Sequence, residues 1–292
     1  MNLRRFPLYA VVALCFLIVL DASARDSAVR VMTYNIRYDN PADSLDNWKY
    51  RKNFVVSTVR YHAPDVFGIQ EGLISQVHDL SAALRGFRWC GKGRDDGAEA
   101  GEFSAIFYDA TRFVLLKDST FWLSPTPDKP SKGWDAALNR IVTWAKLQDK
   151  QTRRVFFVFN THFDHMGVTA REESAKLLLR QIRHIAKDKP AVVTGDFNST
   201  DTEAPYAALT AKDSSKAIHL ADALTICESP HHGPLKTFSG FDVHKGLIGD
   251  RIDFVFVSDG VRVIRHATLA DFKSDERFPS DHLPVIAEIA LP

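Results

Sequence analysis

The sequence predicts an α/β chain built from two packed β-sheets with helices outside. Three observations carry that reading: short β-rich apolar runs are numerous, helical segments are few, and conspicuous polar residues fall where the runs end. A doubly wound parallel sheet would need a helix after almost every strand, which this pattern does not supply. The candidate strands are residues 29–34, 65–70, 103–108, 113–121, 141–147, 155–161, 191–195, 252–257 and 284–289. Helical length and spacing appear over 48–62, 73–84 and 169–187. The last of these gathers Ala175, Leu178, Leu179 and Ile182 on one face, with Thr169 as a candidate N-cap and Glu172 as its capping-box partner.

At 292 residues, 45% hydrophobic and 25% charged, the chain has ordinary globular composition and can bury a sizeable core. No repeat, low-complexity tract or Gly/Ser linker divides residues 25–292, so one domain is expected there. Residues 1–24 read differently. Arg4 and Arg5 precede an apolar run over 8–20, and Ala22-Ser23-Ala24 follows it, which is the order of a secretory signal peptide cut after Ala24. The run is shorter than the ~20 residues of a spanning helix, so a periplasmic or secreted protein without stable membrane association is expected. Export would leave Cys90 and Cys227 in an oxidising compartment, though their spacing does not say whether they pair.

Lys and Arg total 37 against 36 Asp and Glu, and removal of Arg4, Arg5 and Asp21 with the leader balances the remainder. Binders of long nucleic acid usually carry a strong basic excess, because phosphate neutralisation supplies most of their affinity. A compact or oligomeric substrate is therefore favoured over long nucleic acid. Oligomeric state leaves no trace in the sequence.

Five polar clusters and one isolated carboxylate, Asp253, carry the chemistry. In Thr194-Gly195-Asp196-Phe197-Asn198, a buried strand ends in a carboxylate and an amide, hard oxygen donors suited to Mg²⁺, Mn²⁺ or Ca²⁺, although an Asx turn uses the same residues. Asn160-Thr161-His162-Phe163-Asp164-His165 places an imidazole where it could meet a phosphoryl oxygen. Ser280-Asp281-His282 sets a carboxylate beside a second imidazole, an acid–base pair or a metal and phosphate clamp. Asp253 alternates with Ile252 and Phe254 and, if buried, needs a partner such as a protonated histidine. Tyr34-Asn35 and Gln70-Glu71 close two further strands.

Taken in this order, the motifs resemble the exonuclease-endonuclease-phosphatase superfamily, whose members include deoxyribonuclease I, inositol polyphosphate phosphatases and poly(A) deadenylases. The resemblance implies a four-layer α/β sandwich, two mainly antiparallel sheets face to face with helices outside. It makes Glu71 the main Mg²⁺ ligand, with Mn²⁺ as the alternative ion, assisted by Asn35 and Asp281. By the same likeness Asp196 orients the attacking water, Asn198 holds phosphate or metal, His162 contacts the scissile phosphate with Asp253 keeping it charged, and Asp281 and His282 form the second acid–base pair. Gly93-Arg94-Asp95-Asp96-Gly97, Gly101-Glu102-Phe103 and Arg140-Ile141-Val142-Thr143-Trp144 look like an exported bacterial branch of unknown substrate. In it Arg140 would contact phosphate, and Arg37, Asp39, Arg94, Asp164 and His165 could line a polar pocket. The expected activity is that of a metal-dependent phosphoesterase, first a phosphodiesterase on a nucleotide or phosphorylated glycan. The alternatives are a phosphomonoesterase on a sugar or inositol phosphate, a nonspecific extracellular nuclease, and a binding protein that has lost catalysis.

Overall fold

The computed structural model describes residues 27–212 and 219–292. The expected leader lies outside them. Strands β1 (Val29–Asn35), β2 (Val66–Gln70), β3 (Phe87–Cys90), β4 (Ile106–Asp109), β11 (Arg262–Thr268) and β12 (Val285–Ala290) form one sheet in the order β11-β12-β1-β2-β4-β3. The other contains β5 (Phe113–Trp122), β6 (Ile141–Asp149), β7 (Val155–His162), β8 (Ala191–Asp196), β9 (Leu220–Asp222) and β10 (Asp253–Ser258), ordered β5-β6-β7-β8-β10-β9. Each sheet is antiparallel except at its centre, where β1 pairs parallel with β2 and β7 with β8. Those two parallel pairs require crossovers, and helices α1 (Trp48–His62) and α3 (Val168–Ala186) supply them. Helices α2 (Ile74–Ala83) and α4 (Ala204–Thr210) complete the outer layers.

Alternation along the strands explains the four layers. On β1, Val29 and Val31 join an inner core with Val158, Val192 and Val255 of the opposite sheet, whereas Met32 and Tyr34 face outward onto Val55 and Val59 of α1 and Leu80 of α2. On the second sheet, Phe157, Phe159 and Val193 pack outward against Leu178 and Ile182 of α3. Near the strand ends that carry the motifs, the inner layer turns polar. Asn160 Oδ1 accepts from Gln70 Nε2 at 2.7 Å and Thr194 Oγ1 at 3.0 Å, and Asn160 Nδ2 donates to Ile69 O and Ala105 O, so one buried amide fastens the two sheets together.

Several local expectations change. The run 103–108 pairs as a strand only from Ile106, while Phe103 makes isolated bridges to Gly72 and Gly93. β3, β9 and β11 escape the sequence pattern because two are very short and the third, an edge strand, mixes Arg262, Arg265 and His266 into its run. Thr169 does not cap α3: Gly167 is the N-cap and has no side chain to offer. The orphan amides of Thr169 and Ala170 are instead satisfied by the Asp135 carboxylate from a distant loop, and Glu172 pairs with Lys176 at 2.8 Å.

Candidate active site

Strand register builds the centre of the site. His162 aligns with Asp196 across the parallel β7–β8 pair, and Asp253 aligns with Asp196 across the antiparallel β8–β10 pair, so three ionisable residues form one row on adjacent strands. His282 reaches this row from the segment before β12, and its Nδ1 lies 2.8 Å from Asp253 Oδ2. From the first sheet come Asn35, at the end of β1, and Glu71, just past β2. Asn35 Nδ2 donates to Asp196 Oδ2 at 2.9 Å and to Glu71 Oε1 at 3.0 Å, joining carboxylates of the two sheets.

The backbone is bent to present these groups. Arg37, Glu71 and Asn198 all have positive φ without being glycine (55°, 64° and 46°), a conformation that surrounding structure must hold in place. Buried Arg51 of α1 does much of that holding. It donates to the carbonyls of Ile36, Arg37, Asp46 and Pro279, tying the loop after β1 to the segment that carries Asp281 and His282. Ser280 Oγ adds a 2.7 Å bond to Asn35 O.

Two imidazoles are held in opposite charge states. Burial disfavours charge on His282, but Asp253, Asp196 and Asp281 outweigh it and raise its pKa well above the ordinary value. His162 is pushed well below its ordinary value by burial and by the nearby Arg140 and Arg94 guanidiniums. Its Nε2 accepts from Asn198 Nδ2 at 3.0 Å and lies 3.4 Å from Asp196 Oδ2. Asp253 therefore supports His282 and not His162, and His162 is neutral, which corrects both parts of the expected pairing. Asp281 likewise does not pair with its neighbour His282. It faces Arg37 Nε at 3.8 Å, while another nitrogen of the same guanidinium lies 3.8 Å from Glu71 Oε2. Burial, with Asp253, pushes Asp196 up to about 7, and burial raises Asp281.

The donor set suits a hard divalent cation. One atom each from Glu71, Asp196 and His282 lies within 4.8 Å of the others, two of the three being carboxylate oxygens. The composition differs from the expected Glu71, Asn35 and Asp281. Asn35 Oδ1 is occupied by the Arg37 amide at 3.0 Å, so Asn35 straps the carboxylates together through its nitrogen, and Asp281 stands one side chain away.

A cavity of about 720 Å³ opens over this cluster. Its other end carries the guanidiniums of Arg94 and Arg140, with His162, His165 and Glu102 beside them. Arg140 is 4% exposed, and its Nε donates to Asp164 Oδ2 at 3.2 Å, while Nη2 meets His165 Nδ1 at 2.9 Å. Asp164 itself does not line the cavity. It accepts from the amides of Ala137, Leu138, Met166 and Gly167, and although burial opposes its charge, the Gly167, Ala137 and Met166 amides and Arg140 hold its pKa well below the carboxylate range. Its place is behind Arg140, fixing two loops of the cavity wall. Asp39 also stays off the cavity.

Glu102 went unassigned in the sequence. It binds Arg94 Nη1 at 2.6 Å, lies 4.0 Å from His162 Nδ1, and is pushed up to about 7 chiefly by burial. The visible clue was an Arg and a Glu flanking a glycine-rich loop, but nothing local says that such a loop folds back on the site. Tyr38, Leu138, Phe238 and Ile252 supply the apolar walls and had no distinguishing signal at all. A second cleft of about 630 Å³ lies beside β11, where His62 is already paired with Asp271 and Arg265 with Glu288. Among the described residues no helix is long and apolar enough to cross a membrane.

Known proteins share this architecture. A crystal structure of an endonuclease/exonuclease/phosphatase from Bacteroides vulgatus is 40% identical, with TM-score 0.84, covering 91% of this chain and 99% of that one. A mannosyl-6-phosphatase of Bacteroides thetaiotaomicron VPI-5482 is also 40% identical, with TM-score 0.82, covering 89% and 99%. The human nocturnin catalytic domain, 21% identical at TM-score 0.70 over 91% of this chain and 94% of that one, shares the fold. The chain spans 62% of the length of uncharacterized protein L388 of Acanthamoeba polyphaga mimivirus, to which it is 25% identical over 54% of its own length, and 30% of that of a second mimivirus protein, R895. The endonuclease/exonuclease/phosphatase family model matches residues 32–282, which contain every strand-end motif of the site, and the chain belongs to that family.

Proposed function

We propose that this chain is an exported, divalent-metal-dependent phosphomonoesterase acting on a phosphorylated sugar. The observation that carries the reading is the two-ended cavity, with a carboxylate and imidazole cluster at one end and two buried guanidiniums at the other. A terminal phosphate bears up to two charges at neutral pH, and Arg94 and Arg140 offer fixed positive charge that cannot be lost by deprotonation. Arg94 Nε and Arg140 Nη1 are buried without a hydrogen-bond partner, as expected of donors that an anion would complete. Likeness to a mannosyl-6-phosphatase over nearly the whole domain supports the same choice. Monoester therefore precedes diester, the reverse of the order expected from sequence.

In this reading Glu71, Asp196 and His282 would hold the cation, His282 giving up its Nε2 proton as the ion binds, and the cation would supply Lewis-acid stabilisation of charge on the phosphoryl oxygens. Asp196, fixed by Asn35 and by the Asn198 amide at 2.9 Å, orients the attacking water. Asp253 fixes the ring of His282, and neutral His162 contacts a non-bridging oxygen beside Arg140. Tyr38, Leu138 and Phe238 flank the sugar.

Hydrolysis of mannose 6-phosphate and p-nitrophenyl phosphate should exceed that of bis(p-nitrophenyl) phosphate, and EDTA or Glu71→Gln should abolish it with little change in folding. Faster cleavage of the bis-ester would reject the monoester reading, and activity indifferent to EDTA would reject the metal. Export predicts that the mature protein begins at Arg25, which N-terminal sequencing of a periplasmic or culture fraction checks.

A further inference from the structure

Away from the catalytic rim, the outer face of the second sheet carries a basic cleft of about 500 Å³ where α3 ends and no longer covers the strands. Lys117, Lys146, His184, Lys187 and Lys189 line it, and Asp188 is the one carboxylate among its walls. Two of these cations have ordinary structural uses: Lys187 and Lys189 follow the C-terminus of α3, where positive charge suits the helix dipole. Lys117, on edge strand β5, could serve to discourage edge-to-edge pairing. Lys146 has no such use. It lies on β6, inside the sheet, directly opposite Lys117 in the antiparallel register. Like charges placed opposite each other destabilise a sheet. Lys189 reaches Asp188 at 3.7 Å, whereas Lys117 and Lys146 form no ion pair among the described residues. Their ammonium groups lie 5.9 Å from the Trp144 ring and 5.8 Å from the Phe157 ring.

We infer that this cleft is an exosite for an anionic polysaccharide bearing phosphate esters, the polymeric form of the substrate class proposed above, on which this choice of ligand rests. Convergent unneutralised cations in a chain otherwise balanced in charge fit a polyanion. A glycan is favoured over single-stranded nucleic acid because the two rings are buried, 7% and 4% exposed, and offer no open face on which a base could stack. Spacing also fits a polymer. Ile141, next to Arg140 in the catalytic cavity, and Lys146 are separated by five steps of β6, about 17 Å of extended strand, beyond the reach of a monosaccharide phosphate.

The test compares the full chain with Lys117→Gln/Lys146→Gln, and with Lys146→Glu as an independent second variant. Retention on a mannan carrying phosphate monoesters, measured at low salt, should fall about tenfold in the double variant and further in the charge reversal. KM on that polymer should rise by a similar factor, with kcat and all constants for p-nitrophenyl phosphate unchanged. Lys146→Gln alone should raise Tm, since it relieves the opposed charges. Equal retention by wild type and both variants overturns the exosite. Retention of a single-stranded oligonucleotide of matched charge as strongly as the mannan overturns the glycan assignment. Retention does not depend on turnover, so a protein that holds the mannan through these lysines yet hydrolyses no phosphomonoester would refute the proposed activity and leave the exosite standing.

Discussion

Asp253 shows how one side chain changes meaning when its partner is known. Its Oδ2 holds His282 Nδ1, its Oδ1 is buried without a hydrogen bond, and its charge is the largest influence raising the His282 pKa against burial. Asp253→Asn would keep the shape of this contact and remove the charge, so His282 would lose the partner that fixes its tautomer and strengthens it as a ligand. A fall in kcat of roughly 10²-fold or more is expected, with KM changed much less, and steady-state kinetics on p-nitrophenyl phosphate would measure it. An unchanged kcat would mean that the Asp253–His282 pair serves folding alone. Glu102 and Arg94 teach the opposite lesson. They flank a glycine-rich turn of unremarkable composition, and only the return of that turn to Arg140 and His162 makes them part of the site.

At the scale of elements, the polar clasp beneath the site demands close approach of the sheets. A Cβ built on Gly68 of β2 would lie 2.3 Å from Asn160 Oδ1 and 2.5 Å from Thr194 Oγ1. Gly68→Ala should therefore destabilise the fold by about 2 kcal/mol or more, because the clash falls on side chains already committed to hydrogen bonds. Urea denaturation would show a lower midpoint at an unchanged slope. The start of α3 is a second such element. Asp135→Ala would leave the amides of Thr169 and Ala170 without their acceptor and lower Tm by a few degrees, with the lost order spreading to the loop that bears Leu138. A Tm equal to wild type would show that water replaces the carboxylate without cost. Helix bounds were legible in the sequence to within a residue or two for α1, α2 and α3, because apolar spacing is local. The capping of α3 was not, because its acceptor lies 34 residues away in the chain.

For the molecule as a whole, His266 is a buried base whose protonation opposes folding. Burial first, then His231 and Arg251, lower its pKa from 6.5 to about 3. His231 Nε2 donates to Pro234 O, and the Nδ1 atoms of His231 and His266 lie 2.9 Å apart. The unfolded chain takes up this proton near pH 6.5 while the folded chain resists it until about pH 3. The contribution to stability is thus complete above pH 6.5 and is lost progressively as pH falls from there toward 3. A Tm series between pH 7 and pH 4 should fall less steeply in His266→Gln than in wild type, and parallel slopes would remove His266 from the account.

The amino-acid sequence alone determined the two-sheet architecture, the main helices and the polar character of the strand ends, since periodicity, turn residues and burial preference are properties of neighbours in the chain. Which carboxylate faces which imidazole was decided only by tertiary structure. Strand order β7-β8-β10 sets Asp196 between His162 and Asp253, Asn35 and Glu71 arrive from the other sheet, and His282 enters from the segment before the last strand. The charge states follow from the same assembly. Burial and two guanidiniums brought in from separate loops push the His162 pKa down, three carboxylates push that of His282 up against burial, and neither neighbourhood exists until the sheets have packed.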